Sequence, residues 1–155
     1  SEQMLAEALR EAGPLAEGAH IATKWWPLLR TASSITSTID ERIRLLENRS
    51  IDLHQVHQPF SFSSVRAEMN AMAELVKKGK IQNVGVSNFS ADKMREADRV
   101  LREHGLRLIS IQVKYSLLDR RIEHRCFVEF SWSCHRHFPF GAQVDVAPCS
   151  TVRLI

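Results

Sequence analysis

Four short apolar segments recur along the chain, beginning near residues 19, 51, 81 and 108, so the repeat is close to 30 residues. The stretches between them carry apolar residues at helical spacing. Strands that alternate with helices at this period are typical of βαβ units around a parallel sheet. The fold class is therefore α/β, and two architectures satisfy the pattern. One is an open doubly wound sheet, and the other is part of a (β/α)8 barrel.

The apolar pattern also predicts where each element lies. The predicted strands cover residues 19–23, 51–56, 81–86 and 108–113. Helices are predicted over 2–12, from Met4, Leu5, Ala8, Leu9 and Ala12, and over 36–48, from Ile35, Ile39, Ile43 and Leu46. Two further helices carry the sets Val65, Met69, Met72, Val76 and Met94, Ala97, Leu101. Ser90 is a predicted N-cap, and Gly79 and Gly105 are predicted helix ends.

The composition changes past about residue 122, where all three cysteines and four of the seven phenylalanines lie. We therefore predict two parts, 1–122 and a divergent, irregular tail at 123–155, for which an altered reading frame is one hypothesis. An odd cysteine count without C-x-x-C spacing argues against a disulfide scaffold. The tail cluster Cys134, His135 and His137 matches no usual zinc spacing, so no metal site is predicted.

Charge and hydropathy exclude several functions. The 21 basic and 18 acidic residues are interspersed and leave a net charge of +3, which is not the footprint of a nucleic-acid binder. No apolar run approaches the roughly 18 residues that a membrane span requires. The cysteine usage makes a cytoplasmic location the default.

Polar residues follow or end each apolar segment: Lys24, His57, the pair Ser87-Asn88, and Gln112. In parallel α/β folds the carboxyl ends of the strands meet at one edge, where function resides. Each residue also has a structural interpretation, such as a solvated lysine, a capped histidine, a turn, or a core amide. His54 lies three residues before His57, so the two side chains should point to opposite faces.

Four stretches resemble the aldo-keto reductase family over about residues 1–122. They are Ile-Ala-Thr-Lys (21–24), Ile-Asp-Leu-His-Gln-Val-His-Gln-Pro (51–59), Gly-Lys-Ile-Gln-Asn-Val-Gly-Val-Ser-Asn-Phe-Ser (79–90) and Ile-Gln-Val-Lys-Tyr-Ser-Leu-Leu-Asp-Arg (111–120). The resemblance implies part of a (β/α)8 barrel, about four βα units, whose family reduces aldehydes and ketones with NADPH by hydride transfer.

The resemblance also implies roles for individual residues. Lys24 corresponds to the lysine that, paired with an aspartate, lowers the pKa of a proton-donating tyrosine. His57 corresponds to the histidine that orients the substrate carbonyl. Ser87, Asn88 and Gln112 correspond to residues that hydrogen-bond the nicotinamide carboxamide. Trp25 and Trp26 either line a substrate pocket or form a buried aromatic lid, and Tyr115 is not placed at the proton donor.

The family's tyrosine and aspartate would precede residue 1, and its phosphate-gripping loop would come later than this chain extends. In the tail, Phe138-Pro139-Phe140-Gly141 falls near the distance expected for the nicotinamide-stacking aromatic, but its surroundings differ. We therefore expect the 155 residues alone to reduce no aldehyde and to be poorly soluble or to require a partner. The alternative is a non-catalytic relative that acts by binding a partner, and no oligomeric state is predicted.

Overall fold

The computed structural model describes residues 1–113. These residues form five α-helices, one short 3-10 helix and four β-strands in alternation. The helices are α1 (Glu2–Ala12), α2 (Ser33–Ser37), α3 (Ile39–Leu45), α4 (Val65–Lys77) and α5 (Ala91–Glu103), and the 3-10 helix is Gly13–Ala16. The strands are β1 (Ala22–Trp25), β2 (Ile51–Val56), β3 (Ile81–Ser87) and β4 (Leu108–Gln112).

The four strands form one parallel sheet in the order β1-β2-β3-β4. Each strand therefore pairs with the next strand along the chain. A doubly wound sheet reverses its direction of winding at a switch point. No reversal occurs among the four described strands, so their winding is that of a barrel wall rather than of an open doubly wound sheet.

The core lies between the helices and one face of the sheet. Val56, Val84 and Val86 project from that face, and all three are at most 1% exposed. They share one apolar cluster with Met72 of α4 and Leu101 of α5. The helices therefore pack on this face of the sheet, and the opposite face carries a different set of side chains.

The helix ends follow the sequence predictions. Ser90 caps α5 by accepting a hydrogen bond from the Lys93 amide, and Ser64 caps α4 in the same way from Ala67. After α4, Gly79 adopts a φ of +66°, and the Lys80 amide donates to the Leu75 carbonyl. This left-handed turn satisfies carbonyls at the helix end that would otherwise lack partners.

Two predicted elements differ from the structure. The first strand lies at Ala22–Trp25 rather than at 19–23, so Lys24 is inside a strand and not after it. The predicted helix 36–48 is two helices that separate at Thr38. There the Thr38 hydroxyl donates to the Ser34 carbonyl at 2.7 Å, and such back-bonding competes with regular helix hydrogen bonds.

The predicted apolar face of α1 is partly wrong. Only Ala6 of α1 is buried, and Leu5 and Leu9 pack partly against the core, whereas Met4 is 74% exposed. Two ion pairs also connect α1 to the residues of and after α3: Glu2 pairs with Arg42, and Arg10 pairs with Glu47. The part of the α1 surface that packs against the rest of the protein is therefore narrower than the apolar pattern of the sequence predicts.

The predicted 123–155 tail, Tyr115, the cluster Cys134, His135 and His137, and the segment 138–141 all lie outside the described residues, so the division at residue 122 stays a prediction. Within residues 1–113, no helix has the length and apolar composition that crossing a membrane requires. The same residues contain no group of three or more histidine, cysteine, aspartate or glutamate side chains arranged to hold a metal ion.

Candidate active site

Two rows of residues cross the sheet face that is turned away from the helices. The strand register defines them, because residues paired across parallel strands lie side by side. The lower row consists of Lys24, Gln55, Gly85 and Ser110. The upper row lies two residues further along each strand, nearer the carboxyl ends, and consists of His57, Ser87 and Gln112. Four of the five predicted site residues are therefore members of these rows, and Asn88 follows Ser87 directly.

Lys24 is the cationic member of the lower row. It is partly buried, between the buried residues Thr23 and Trp25 of β1. Desolvation lowers the pKa of Lys24 below its ordinary value, because a charged ammonium loses hydration inside the protein. A neighbouring anionic or polar group would compensate for part of that lost hydration.

His57 extends the β2 ladder by one residue, since its amide donates to the Trp25 carbonyl at 3.0 Å. Its ring meets the Trp26 ring edge to face, with centroids 4.7 Å apart. The Phe60 ring also meets the Trp26 ring edge to face, with centroids 6.3 Å apart. Burial, and then the charge of Lys24, lower the pKa of His57. The imidazole is therefore neutral at pH 7 and can donate one hydrogen bond.

Ser87, Asn88 and Gln112 come together at the end of β3 and β4. The Asn88 side-chain amide donates to Ser87 Oγ at 3.1 Å, and the Asn88 backbone amide donates to the Gln112 carbonyl at 2.9 Å. Asn88 has a φ of +58°, in the left-handed region that asparagine tolerates better than most residues. The result is a compact group of hydroxyl and amide side chains beside His57.

Three lower-row residues were not predicted as part of the site. Gln55 is 4% exposed, and its Nε2 donates to Ser110 Oγ at 3.1 Å, which spans the position of Gly85 between them. A Cβ on Gly85 would lie 2.9 Å from Gln55 Cγ and 3.1 Å from Ser110 Cβ. The signal in the sequence was a glycine inside a strand, which often marks a close approach of neighbouring groups.

The two tryptophans have different positions, so neither sequence interpretation fits both. Trp25 is fully buried on the helix side, where its Nε1 donates to Ser34 Oγ at 2.9 Å. Trp26 is 40% exposed and contacts His57. His54 lies on the face opposite to His57, as predicted, and that face is the helix side, where His54 is 1% exposed and shares a 2.7 Å hydrogen bond with Thr23.

The arrangement combines a partly desolvated cation, a neutral imidazole and a set of amide and hydroxyl groups at one edge. A neutral imidazole donor can stabilise negative charge that develops on a carbonyl oxygen. Hydroxyl and amide side chains supply the donors and acceptors that recognise a planar carboxamide. An exposed indole beside them offers an apolar wall to a small molecule.

The chain also matches known proteins. A sequence profile of the Aldo/keto reductase family matches residues 1–132. Aldo-keto reductase YhdN of Bacillus subtilis is 32% identical over 130 residues, which cover 79% of this chain and 38% of YhdN. Human aflatoxin B1 aldehyde reductase member 4 is 28% identical over 122 residues, which cover 76% of this chain and 35% of the human protein.

A solved structure extends the comparison to the fold. The thermostable aldo-keto reductase Tm1743, crystallised with the inhibitor epalrestat, superimposes with a TM-score of 0.71 at 26% identity. The superposition covers 85% of this chain and 46% of that chain. The present chain thus spans less than half the length of each of these proteins.

Proposed function

The chain belongs to the aldo/keto reductase family, and from that premise we propose that it takes part in reducing a small-molecule aldehyde or ketone by hydride transfer. The four described strands and the helices between them form part of the family's (β/α)8 barrel. The observation that supports the proposal is the grouping of Lys24 and His57 with Ser87, Asn88 and Gln112 at one edge of the sheet. The proposed substrate class is supported by a relative, human aflatoxin B1 aldehyde reductase member 4, whose name describes the reduction of an aldehyde.

In this proposal His57 acts on the substrate. Its pKa lies below the ordinary value, so at pH 7 the ring is neutral and one ring nitrogen donates a hydrogen bond to the carbonyl oxygen. Trp26 holds the imidazole from one side, and the Trp25 carbonyl fixes its backbone. The donor is therefore oriented before the substrate binds, which reduces the reorganisation required during reaction.

Lys24 acts indirectly. In the family the corresponding lysine stabilises the phenolate of the proton-donating tyrosine, and an ammonium that has lost hydration favours a nearby negative charge. Its charge also contributes to the lowered pKa of His57, which keeps the histidine neutral. One basic group thus supports both the proton donor and the hydrogen-bond donor of the proposed reaction.

NADPH is the proposed cofactor, and when bound it supplies the hydride. The donors and acceptors of Ser87, Asn88 and Gln112 fit the carboxamide of a nicotinamide ring, which presents one carbonyl and one NH2 group. Because Asn88 is held to both Ser87 and Gln112, the three residues would bind that amide in one orientation. Orientation of the amide determines which face of the ring meets the substrate.

The 155 residues themselves carry no residue that matches the family's tyrosine or aspartate. We propose that they bind the cofactor without turning over substrate when tested alone. The second candidate is a non-catalytic relative that binds a partner protein. A measurement of cofactor binding distinguishes these two candidate functions, because a relative that only binds a partner protein does not require a nicotinamide site.

The experiment is a titration of the purified chain with NADPH, followed by cofactor fluorescence. Gln112→Ala is expected to weaken binding, since it removes an amide from the proposed carboxamide site. Gln82→Ala is the matched control, because Gln82 is an exposed residue near the opposite end of β3. Absence of NADPH binding by the unaltered chain, or equal binding by both variants, would contradict the proposal.

A further inference from the structure

The pairing of β3 with β4 is irregular at one point beneath the candidate site. Val84 pairs with Leu108, but the next residue, Gly85, pairs with Ser110, so β4 contains one extra residue, Ile109. Such a bulge changes which side chains of the strand face each side of the sheet. Beyond it the pairing is regular again, with Ser87 opposite Gln112.

The hydrogen bond from Gln55 to Ser110 lies directly beyond this bulge. Gln55 belongs to β2 and Ser110 to β4, so the bond crosses β3 without involving its backbone. It can do so because Gly85 has no side chain, since a Cβ there would be 2.9 Å from Gln55 Cγ. The bond therefore joins two strands that are not neighbours in the sheet.

We propose that the Gln55–Ser110 hydrogen bond fixes the register of β4, and so places Gln112 on the site face. Shifting a strand by one residue turns every one of its side chains to the other face. In a shifted register an isoleucine, Ile109 or Ile111, would occupy the place of Ser110 and offer Gln55 no hydroxyl. The amide of Gln55 would then be buried without its partner, which disfavours the shifted pairing.

This assigns positioning roles to Gln55, Gly85 and Ser110, none of which need touch a ligand. Gln112 lies two residues after Ser110 on the same face, so it takes its orientation from the same register. The functional consequence rests on the proposed cofactor site, whereas the structural consequence does not. The two can be measured separately.

The structural test is amide hydrogen exchange. The Asn88 amide bonds to the Gln112 carbonyl and so reports the β3–β4 register, while the Leu53 amide bonds to Ile21 and reports the β1–β2 pairing. Ser110→Ala and Gln55→Met are each expected to accelerate exchange at Asn88 relative to Leu53 by about two- to tenfold, the worth of one neutral hydrogen bond. The double variant should show no more than the larger single effect, because both changes break the same bond.

Two further variants sharpen the test. Gly85→Ala should accelerate Asn88 exchange at least as much, because the new Cβ forces Gln55 aside. Ser61→Ala is the matched control, since it removes another serine hydroxyl in a side-chain hydrogen bond, here with Glu68 of α4, and neither residue belongs to a strand. It should leave the ratio of Asn88 to Leu53 exchange unchanged. An unchanged ratio in Ser110→Ala and Gln55→Met, or fully additive effects, would overturn the proposal.

The functional test is NADPH affinity, where Ser110→Ala should raise Kd by a similar factor of about two- to tenfold. If the unaltered chain binds no NADPH, the proposed function fails, but hydrogen exchange still decides whether the bond fixes the register. If Ser110→Ala accelerates exchange and leaves Kd unchanged, the register role stands and its link to the cofactor site is refuted.

Discussion

Buried His54 should make the chain sensitive to mild acid. The side chain is 1% exposed, and burial, reinforced by the charge of Arg42, lowers the pKa of His54 to about 4. In the unfolded chain the same imidazole has the ordinary histidine pKa of 6.5. Between these two values the unfolded state binds a proton that the folded state does not, so folding stability must fall as pH is lowered.

The size of the effect follows from the difference in pKa. Each pKa unit corresponds to about 1.4 kcal/mol, so a shift from 6.5 to about 4 corresponds to about 3 kcal/mol. This contribution is fully present above pH 6.5, declines below it, and is lost near pH 4. Native domains are commonly stable by only about 5–15 kcal/mol. Protonation of this one histidine would therefore remove a substantial fraction of the free energy of unfolding.

The assay is equilibrium unfolding in urea, followed by tryptophan fluorescence, at several pH values from about 7.5 to about 4.5, a range that spans most of the titration. His54→Gln is the comparison, because glutamine is polar but does not titrate. The variant should be less stable than the unaltered chain at the alkaline end, and the gap should shrink as the pH falls. A gap that stays constant over this range would refute the reasoning, since it would mean that His54 does not change its protonation on unfolding.

Other substitutions have expected outcomes of the same kind. Trp26→Ala should raise the pKa of His57 towards its ordinary value by admitting water, which NMR titration of the imidazole would show. Glu68→Gln should raise the thermal midpoint at neutral pH and lose that advantage in acid, because burial raises the pKa of the Glu68 carboxyl and its charged form is disfavoured in the fold. Met72→Ala should cost about 2–5 kcal/mol of unfolding free energy, since Met72 is fully buried. Lys24→Met should raise the thermal midpoint and, because the charge of Lys24 lowers the pKa of His57, should move the His57 pKa towards its ordinary value, which NMR titration would show.

The sequence was sufficient to predict the alternation of elements and the edge where the polar residues meet. The helical spacing of Met69 and Met72 and the short apolar segment at 51–56 depend only on local geometry, and local geometry is what a sequence pattern records. The break at Thr38 was missed because apolar spacing continues across it. The apolar pattern does not register a hydroxyl that bonds back to the preceding turn.

The lower row could not be predicted in the same way. The bulge at Ile109 and the bond between Gln55 and Ser110 depend on which residues face each other across three strands, and that is a tertiary property. The glutamine within β2 and the glycine within β3 were visible in the sequence, but no local sequence pattern relates them. The different positions of Trp25 and Trp26 also depend on the strand boundary, which the sequence pattern placed too early.

The polar side chains of this sheet fall into two groups, which differ in how far their burial destabilises the folded state. Thr23 with His54 is a buried pair, and buried Gln55 bonds to half-buried Ser110, so the burial of these groups is largely compensated. Lys24 differs, because desolvation is the cause of its lowered pKa, which means that its charged form is less stable in the fold than in water. A residue chosen for stability at that position would be apolar. A charge retained at an energetic cost is expected where chemistry requires it, and this is why replacing Lys24 with methionine should stabilise the chain while impairing the proposed site.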